Sequence, residues 1–144
     1  MIRRFPTYPR RVFVDTSALF ATVDRDDDYC QSVLALLDEV VAGGGKLVVT
    51  NLILTELHAL LLPRINRHVA LVSLQRLRER RDVVAARVSG DDEQRAWEII
   101  ERYTDKDFSF TDATSFVVME RLGITHAISL DAHFGQYGRV ILQV

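Results

Sequence analysis

Apolar residues fall in two kinds of block along the chain, short continuous runs and longer stretches with helical spacing. Arg11-Val12-Phe13-Val14 is a short run ending at Asp15, as expected of a strand buried on both faces. Over residues 26–42 the positions Val33, Leu34, Leu37, Val40 and Val41 recur with the period of a helix. Three acids, Asp26, Asp27 and Asp28, stand where a helix N-terminus favours negative charge, and Gly43-Gly44-Gly45 stops the helix. Lys46-Leu47-Val48-Val49-Thr50 reads as a second strand. Asn51 then caps a helix to residue 62, with Ile53, Leu57, Leu60 and Leu61 as its apolar stripe, and Pro63 ends or kinks it. A helix over 65–80, a strand over 83–88, helices over 91–104 and 111–122, and strands over 126–130 and 139–142 complete the pattern. Trp97 falls on the inward stripe of the 91–104 helix, with Ala96, Ile100 and Tyr103.

Strands alternating with helices, each strand apolar on both faces, predict an α/β fold in which a parallel sheet is covered by helices on both sides. In such sheets the loops leaving the carboxyl ends of the strands carry the site. Asp15 and Asp131 directly follow strands, while Glu56 and Asp112 lie near the starts of helices. All four are therefore expected at one edge. Each has a plainer reading: Asp15 as a helix cap, Glu56 as a partner of Arg64, Asp112 as a first-turn acid and Asp131 as a turn residue. Convergence weighs against four separate coincidences. Carboxylates brought together raise one another's pKa, and a hard divalent cation relieves the conflict. With one cysteine and scattered histidines, Mg²⁺ fits better than zinc, with Mn²⁺ as a substitute. His133, near the edge, reads as a packing residue.

Composition narrows the picture further. At 144 residues, 48% hydrophobic and 26% charged, the chain suits one domain, with residues 1–10 as a basic lead-in and 11–144 as the folded unit. The lead-in is broken by prolines and charges, so a secretory signal is not expected. No apolar run approaches a membrane span. A lone cysteine, Cys30, forms no internal disulfide, and a reducing cytoplasmic home is the economical expectation. The net charge of −2 speaks against a generic nucleic-acid binder, but setting four metal-holding acids aside turns the balance positive. Every basic side chain except Lys46 and Lys106 is arginine, which suits phosphate. Arg64, Arg67, Arg76 and Arg78 are either a solvated helix face or an RNA backbone track. Gly43-Gly44-Gly45-Lys46 is no phosphate loop, because it closes a helix and precedes a strand.

Val14-Asp15-Thr16-Ser17-Ala18-Leu19, Thr55-Glu56-Leu57, the segment from Asp107 through Phe108-Ser109-Phe110-Thr111-Asp112-Ala113, and Leu130-Asp131-Ala132-His133-Phe134 together resemble the PIN-domain pattern. The likeness runs from about residue 11 to 142 and is greatest to the VapC-like toxins of toxin–antitoxin modules. It implies a single Rossmann-like PIN domain with a five-stranded parallel sheet of order 3-2-1-4-5. It also implies a Mg²⁺-dependent endoribonuclease, usually a homodimer, held inactive by a cognate antitoxin. Asp15 and Asp112 would hold the tighter ion. Glu56 and Asp131 would serve a second ion or position the attacking water. Thr16 and Ser17 match the hydroxyls that support Asp15, and Ser109 and Thr111 match cap hydroxyls. In-line attack of water on the phosphodiester would leave a 5′-phosphate and a 3′-hydroxyl. The alternatives are a non-catalytic module that binds a cation or partner, and a housekeeping RNA-processing nuclease of the same fold. An aspartate-nucleophile phosphatase fits poorly, since Ser17 stands where a second aspartate belongs. Leu54, Leu61, Leu62 and Val72 lie off the main inward stripes and mark a candidate dimer surface.

Overall fold

The computed structural model describes residues 7–144. The first six residues of the basic lead-in lie outside the described part. Of the rest, Tyr8 donates a hydrogen bond to Glu39 and the Arg10 carbonyl accepts one from the Lys46 N–H.

Five parallel strands form one sheet: β1 (Arg11–Val14), β2 (Lys46–Thr50), β3 (Val83–Ala86), β4 (His126–Ile128) and β5 (Val140–Ile141), in the order β3-β2-β1-β4-β5. That is the predicted order. β1 lies at the centre, its Arg11 opposite Lys46 of β2 and its Val14 opposite Ile128 of β4. Val12, Phe13 and Val14 are all fully buried, which requires cover on both faces because successive side chains point opposite ways. The helices α1 (Thr16–Val23), α2 (Cys30–Ala42), α3 (Asn51–Arg64), α4 (Arg67–Glu79), α5 (Gly90–Arg102), α6 (Phe110–Leu122) and the short α7 (His133–Gln136) supply it. α1 packs on α2 and α3, α3 on α4, and α5 on α6. One core joins Phe13, Leu57, Leu61, Phe116, Met119 and Phe134, in which the rings of Phe116 and Phe134 meet edge to face at 5.0 Å.

Several element ends differ from the sequence reading, each for a local reason. α1 was not predicted: Thr16, Ala18, Leu19 and Ala21 are small or apolar without a clear polar face, so no periodicity marks them. α2 begins at Cys30, not residue 26, because Asp27 turns its Oδ1 onto the Tyr29 N–H at 2.8 Å and forms a turn. Its inward stripe takes Leu36, while Leu34 is exposed. Thr50, rather than Asn51, caps α3 through the Ile53 N–H at 3.0 Å. Asn51 instead accepts from the Val88 N–H at 2.8 Å, tying the exit of β3 to the start of α3. Pro63 lies inside α3, which runs one residue further. The left-handed residue after α2 is Gly44 (φ 86°), not Gly43. Leu61 is wholly buried and offers no surface, whereas Leu62 is 41% exposed. Trp97 is also not a core residue: it is 49% exposed and stacks on Phe110 with ring centroids 4.5 Å apart.

α5 and α6 open with the same device. Ser89 accepts from the Asp92 N–H while Asp92 accepts from the Ser89 N–H, and Ser109 and Asp112 do likewise. The two acids then diverge. Asp92, 1% exposed, is gripped by the Arg121 guanidinium at 2.9 and 3.0 Å. Burial alone would raise its pKa, but the Arg121 and Ser89 hydrogen bonds outweigh burial and hold it below the ordinary value. Among the described residues no arginine pairs with Asp112, and it faces the site.

Candidate active site at the carboxyl edge of the sheet

Asp15 leaves the end of β1 and occupies the N-cap position of α1. Its backbone serves the fold: the N–H bonds the Ile128 carbonyl at 3.0 Å, and its carbonyl accepts from the Leu19 N–H. Its side chain makes no capping bond, so the plainer reading of this residue fails. The carboxylate instead accepts at Oδ2 from Ser17 Oγ and Ser129 Oγ, each at 2.9 Å. Asp15 is 4% exposed. Burial pushes its pKa up to about 6 and the nearby Asp112 charge adds to this, while the two serine hydroxyls pull the other way.

The loop after β4 completes the cradle. Ser129 Oγ accepts from the Asp131 N–H, and Ser17 Oγ accepts from the Leu130 N–H, both at 3.0 Å. One pair of serines thus laces the ends of β1 and β4 together around a single carboxylate. Ser129 was not among the predicted residues. Its place one residue beyond the end of β4, two before Asp131, was the only signal available.

Asp112 is fixed by the capping box, accepting at Oδ2 from the Ser109 N–H at 3.0 Å. The same oxygen lies 2.7 Å from His133 Nδ1. Asp131 accepts at Oδ1 from the His133 N–H at 2.9 Å, and that oxygen lies 3.3 Å from His133 Nδ1. Asp112, Asp131 and His133 each offer a ligand atom, all within 4.8 Å of one another. His133 therefore belongs to the site. Its ring also stands edge-on to Phe108 at 5.6 Å, so the predicted packing contact exists alongside the polar one.

Three of the predicted carboxylates thus share one edge: Asp15 beside Asp112, and Asp112 beside Asp131. Glu56 lies in the second turn of α3, half-buried, and has no hydrogen-bond or ion-pair partner among the described residues. Arg64 does not pair with it, but lies over the Phe20 ring at 5.6 Å. Thr16 is 2% exposed, and its Oγ1 is buried without a partner among the described residues. Arg64, Arg67, Arg76 and Arg78 are all exposed. Just beyond α4, the Arg81 carbonyl accepts from Lys46 Nζ at the start of β2. The Arg76 and Arg78 end of α4 therefore points toward the sheet edge opposite Asp15.

The residues fit a divalent cation. Their donors are mainly carboxylate oxygens; among the described residues the deepest of these carboxylates, Asp15, has hydroxyl but no cationic partners, and the unpartnered Thr16 Oγ1 lies next in sequence to it. Among the described residues, no helix is long and apolar enough to cross a membrane.

Comparison with known proteins agrees with this architecture. The 23S rRNA-specific endonuclease VapC20 of Mycobacterium tuberculosis is 38% identical over 73 residues, covering 51% of this chain and 56% of that protein. The chain thus spans about half the length of the curated relative it matches. The crystal structure of M. tuberculosis VapC20, described as a Sarcin-Ricin loop cleaving toxin, superposes with a TM-score of 0.82 at 30% identity, covering 90% of this chain and 96% of that one. FitAcB from Neisseria gonorrhoeae superposes with a TM-score of 0.65 at 13% identity, over 92% of this chain and 96% of its own, a likeness of fold alone. The PIN domain family pattern matches residues 12–140. With the sheet order, the carboxylate edge and this match in agreement, the chain belongs to the PIN-domain family.

Proposed function

We propose that the chain is a divalent-metal-dependent endoribonuclease that cuts ribosomal RNA, and that it is the toxin of a toxin–antitoxin pair. The observation that carries the reading is the buried Asp15, aimed by two serines toward Asp112 and Asp131 in a chain similar along most of its length to VapC20. Asp15, Asp112 and Asp131, with Glu56 on the adjoining helix, are the residues that would hold Mg²⁺ or Mn²⁺. When bound, such an ion neutralises phosphate charge and makes water a better nucleophile. The chain's own groups do the rest. Ser17 and Ser129 keep Asp15 in one orientation. Asp112 is locked by its capping box and cannot swing away from the edge. Glu56, half-buried and unpaired among the described residues, accepts the proton of the attacking water. Thr16 offers a hydroxyl to the same layer.

Regulation fits the surface. A groove of about 460 Å³ between α1, α2 and α4 has an apolar floor that includes Leu19, Leu57 and Leu77 and a rim carrying Arg25, Arg76 and Arg80. That combination favours an amphipathic segment of an inhibitor protein, its acids on the rim and a basic side chain reaching the carboxylates. Leu62 and Leu71, each more than 40% exposed, would lie in a homodimer contact. A cytoplasmic location suits an enzyme whose substrate is ribosomal. The test is incubation of the purified chain with intact ribosomes and with mixed RNA, with and without Mg²⁺, followed by mapping of the ends. Discrete cuts bearing 5′-phosphates, lost in Asp15→Asn, are expected. Intact RNA under every metal condition would overturn the reading.

A further inference from the structure

His133 is the one side chain of the site still without a task. Its Nδ1 stands 2.7 Å from Asp112 Oδ2 and 3.3 Å from Asp131 Oδ1. Neighbouring ligands on an octahedral ion with bonds of about 2.1 Å lie about 3.0 Å apart. The nitrogen is thus spaced from both carboxylates as one ligand is from the next. The ring is also held in place. Its edge meets Phe108, and the residue's own N–H is bound to Asp131. A quarter of the side chain remains exposed, on a group whose two carboxylate neighbours are the residues proposed to hold the ion.

We propose that His133 Nδ1 is itself a metal ligand, completing a face of two carboxylates and one imidazole, and that this nitrogen biases the site away from Mg²⁺ toward first-row transition ions. Magnesium is served almost wholly by oxygen, whereas imidazole strengthens binding along the series from Mn²⁺ to Co²⁺ and beyond. The expectation drawn from scattered histidines, an all-oxygen site suited to Mg²⁺, is thereby modified by the one histidine that the fold brings to the edge. The inference rests on the metal-dependent reading above, but not on the identity of the RNA.

The test uses the full chain freed of metal and titrated with MgCl₂, MnCl₂ and CoCl₂, followed by calorimetry and thermal melting. Pulsed electron paramagnetic resonance of the bound Mn²⁺ reports whether a nitrogen is directly attached. The wild type should bind Mn²⁺ at least about tenfold more tightly than Mg²⁺, Co²⁺ more tightly still, and should show one nitrogen coupling. His133→Phe keeps a ring against Phe108 and removes the nitrogen. It should lose the coupling and weaken Mn²⁺ by about 10–100-fold, with a much smaller change for Mg²⁺. His133→Asn, which restores a polar group, should bind Mg²⁺ as well as the wild type does but show no nitrogen coupling. Bound Mn²⁺ without nitrogen coupling in the wild type, or an unchanged Mn²⁺-to-Mg²⁺ ratio in His133→Phe, would reduce His133 to a hydrogen-bond partner of Asp112 and overturn the proposal. If the phenylalanine variant fails to fold, the wild-type resonance spectrum decides alone. RNA cleavage measured in parallel keeps the two readings apart. Nitrogen coupling without cleavage overturns only the nuclease, and cleavage without coupling overturns only the histidine ligand.

Discussion

Replacing Asp15 by asparagine should make the metal-free chain more stable while abolishing cleavage. The carboxylate is 4% exposed, and burial raises its pKa from the ordinary 3.8 to about 6. An acid whose pKa is higher folded than unfolded contributes stability at low pH, and that contribution is lost as pH rises through the folded value. Asp15 therefore supports the fold below about pH 4 and opposes it above about pH 6. The displacement is roughly two pH units at about 1.4 kcal/mol each, a burden of about 3 kcal/mol at neutral pH. Asparagine keeps the shape and an oxygen for Ser17 and Ser129, but never ionises. In a chain of this size the relief corresponds to about 6–12 °C in melting temperature. Melts followed by circular dichroism in EDTA, at pH 4.5, 6 and 7.5, measure it. The variant should gain progressively across that range, and Mg²⁺ should narrow the gap by stabilising the wild type alone. A variant less stable at pH 7.5, or a difference indifferent to pH, would refute the reasoning.

Other perturbations probe separate parts of the molecule. Mg²⁺ or Mn²⁺ should raise the melting temperature, and Asp112→Asn should blunt that rise more than Asp107→Asn; equal effects would move the site elsewhere in the loop. Arg121→Met leaves Asp92 buried without its cation and should cost about 2–3 kcal/mol in urea melts at pH 7. Because Asp92 is held below its ordinary pKa of 3.8, that loss should shrink only as pH falls through this lowered folded-state value, beneath which the carboxyl is protonated in both states. Leu62→Glu combined with Leu71→Glu should shift light scattering from dimer to monomer with little change in melting. Leu61→Glu should instead unfold the chain, since that side chain is wholly buried.

The strands and their parallel pairing were legible because each strand is a continuous apolar run alternating with helices, whereas their order came from the resemblance to the PIN-domain pattern. Asp15, Asp112 and Asp131 were legible for the same reason: a parallel sheet sends every strand end to one edge. Other features depend on three-dimensional neighbours that periodicity does not encode. His133 sits on a four-residue helix too short to show a pattern, and its place beside the carboxylates comes from Asp112, 21 residues away in sequence. Trp97 satisfied the helical spacing yet stays half in solvent, because Ala96 takes the buried position and Phe110 offers a ring to stack on. Leu61 was counted as surplus because α3 is apolar nearly all round, so its stripe could not tell the core side from the open one. Ser129 carried no signal beyond its position. A serine after a strand is ordinary until a buried carboxylate is found beside it.

The Ser17–Asp15–Ser129 lacing also sets when the carboxylate edge can assemble during synthesis. Asp15 and Ser129 are 114 positions apart, and the Asp131 and His133 side chains follow Ser129. At about 5–20 residues per second, a ribosome that has made Asp15 needs roughly 6–23 s more to reach Ser129. Until β4 emerges and pairs with β1, Asp15 has neither its second serine nor its neighbours from the loop after β4. The carboxylate edge is thus absent from the growing chain until β4 has folded against β1. If the proposed cleavage of ribosomal RNA holds, the ribosome making the chain meets no assembled site until β4 has emerged and paired.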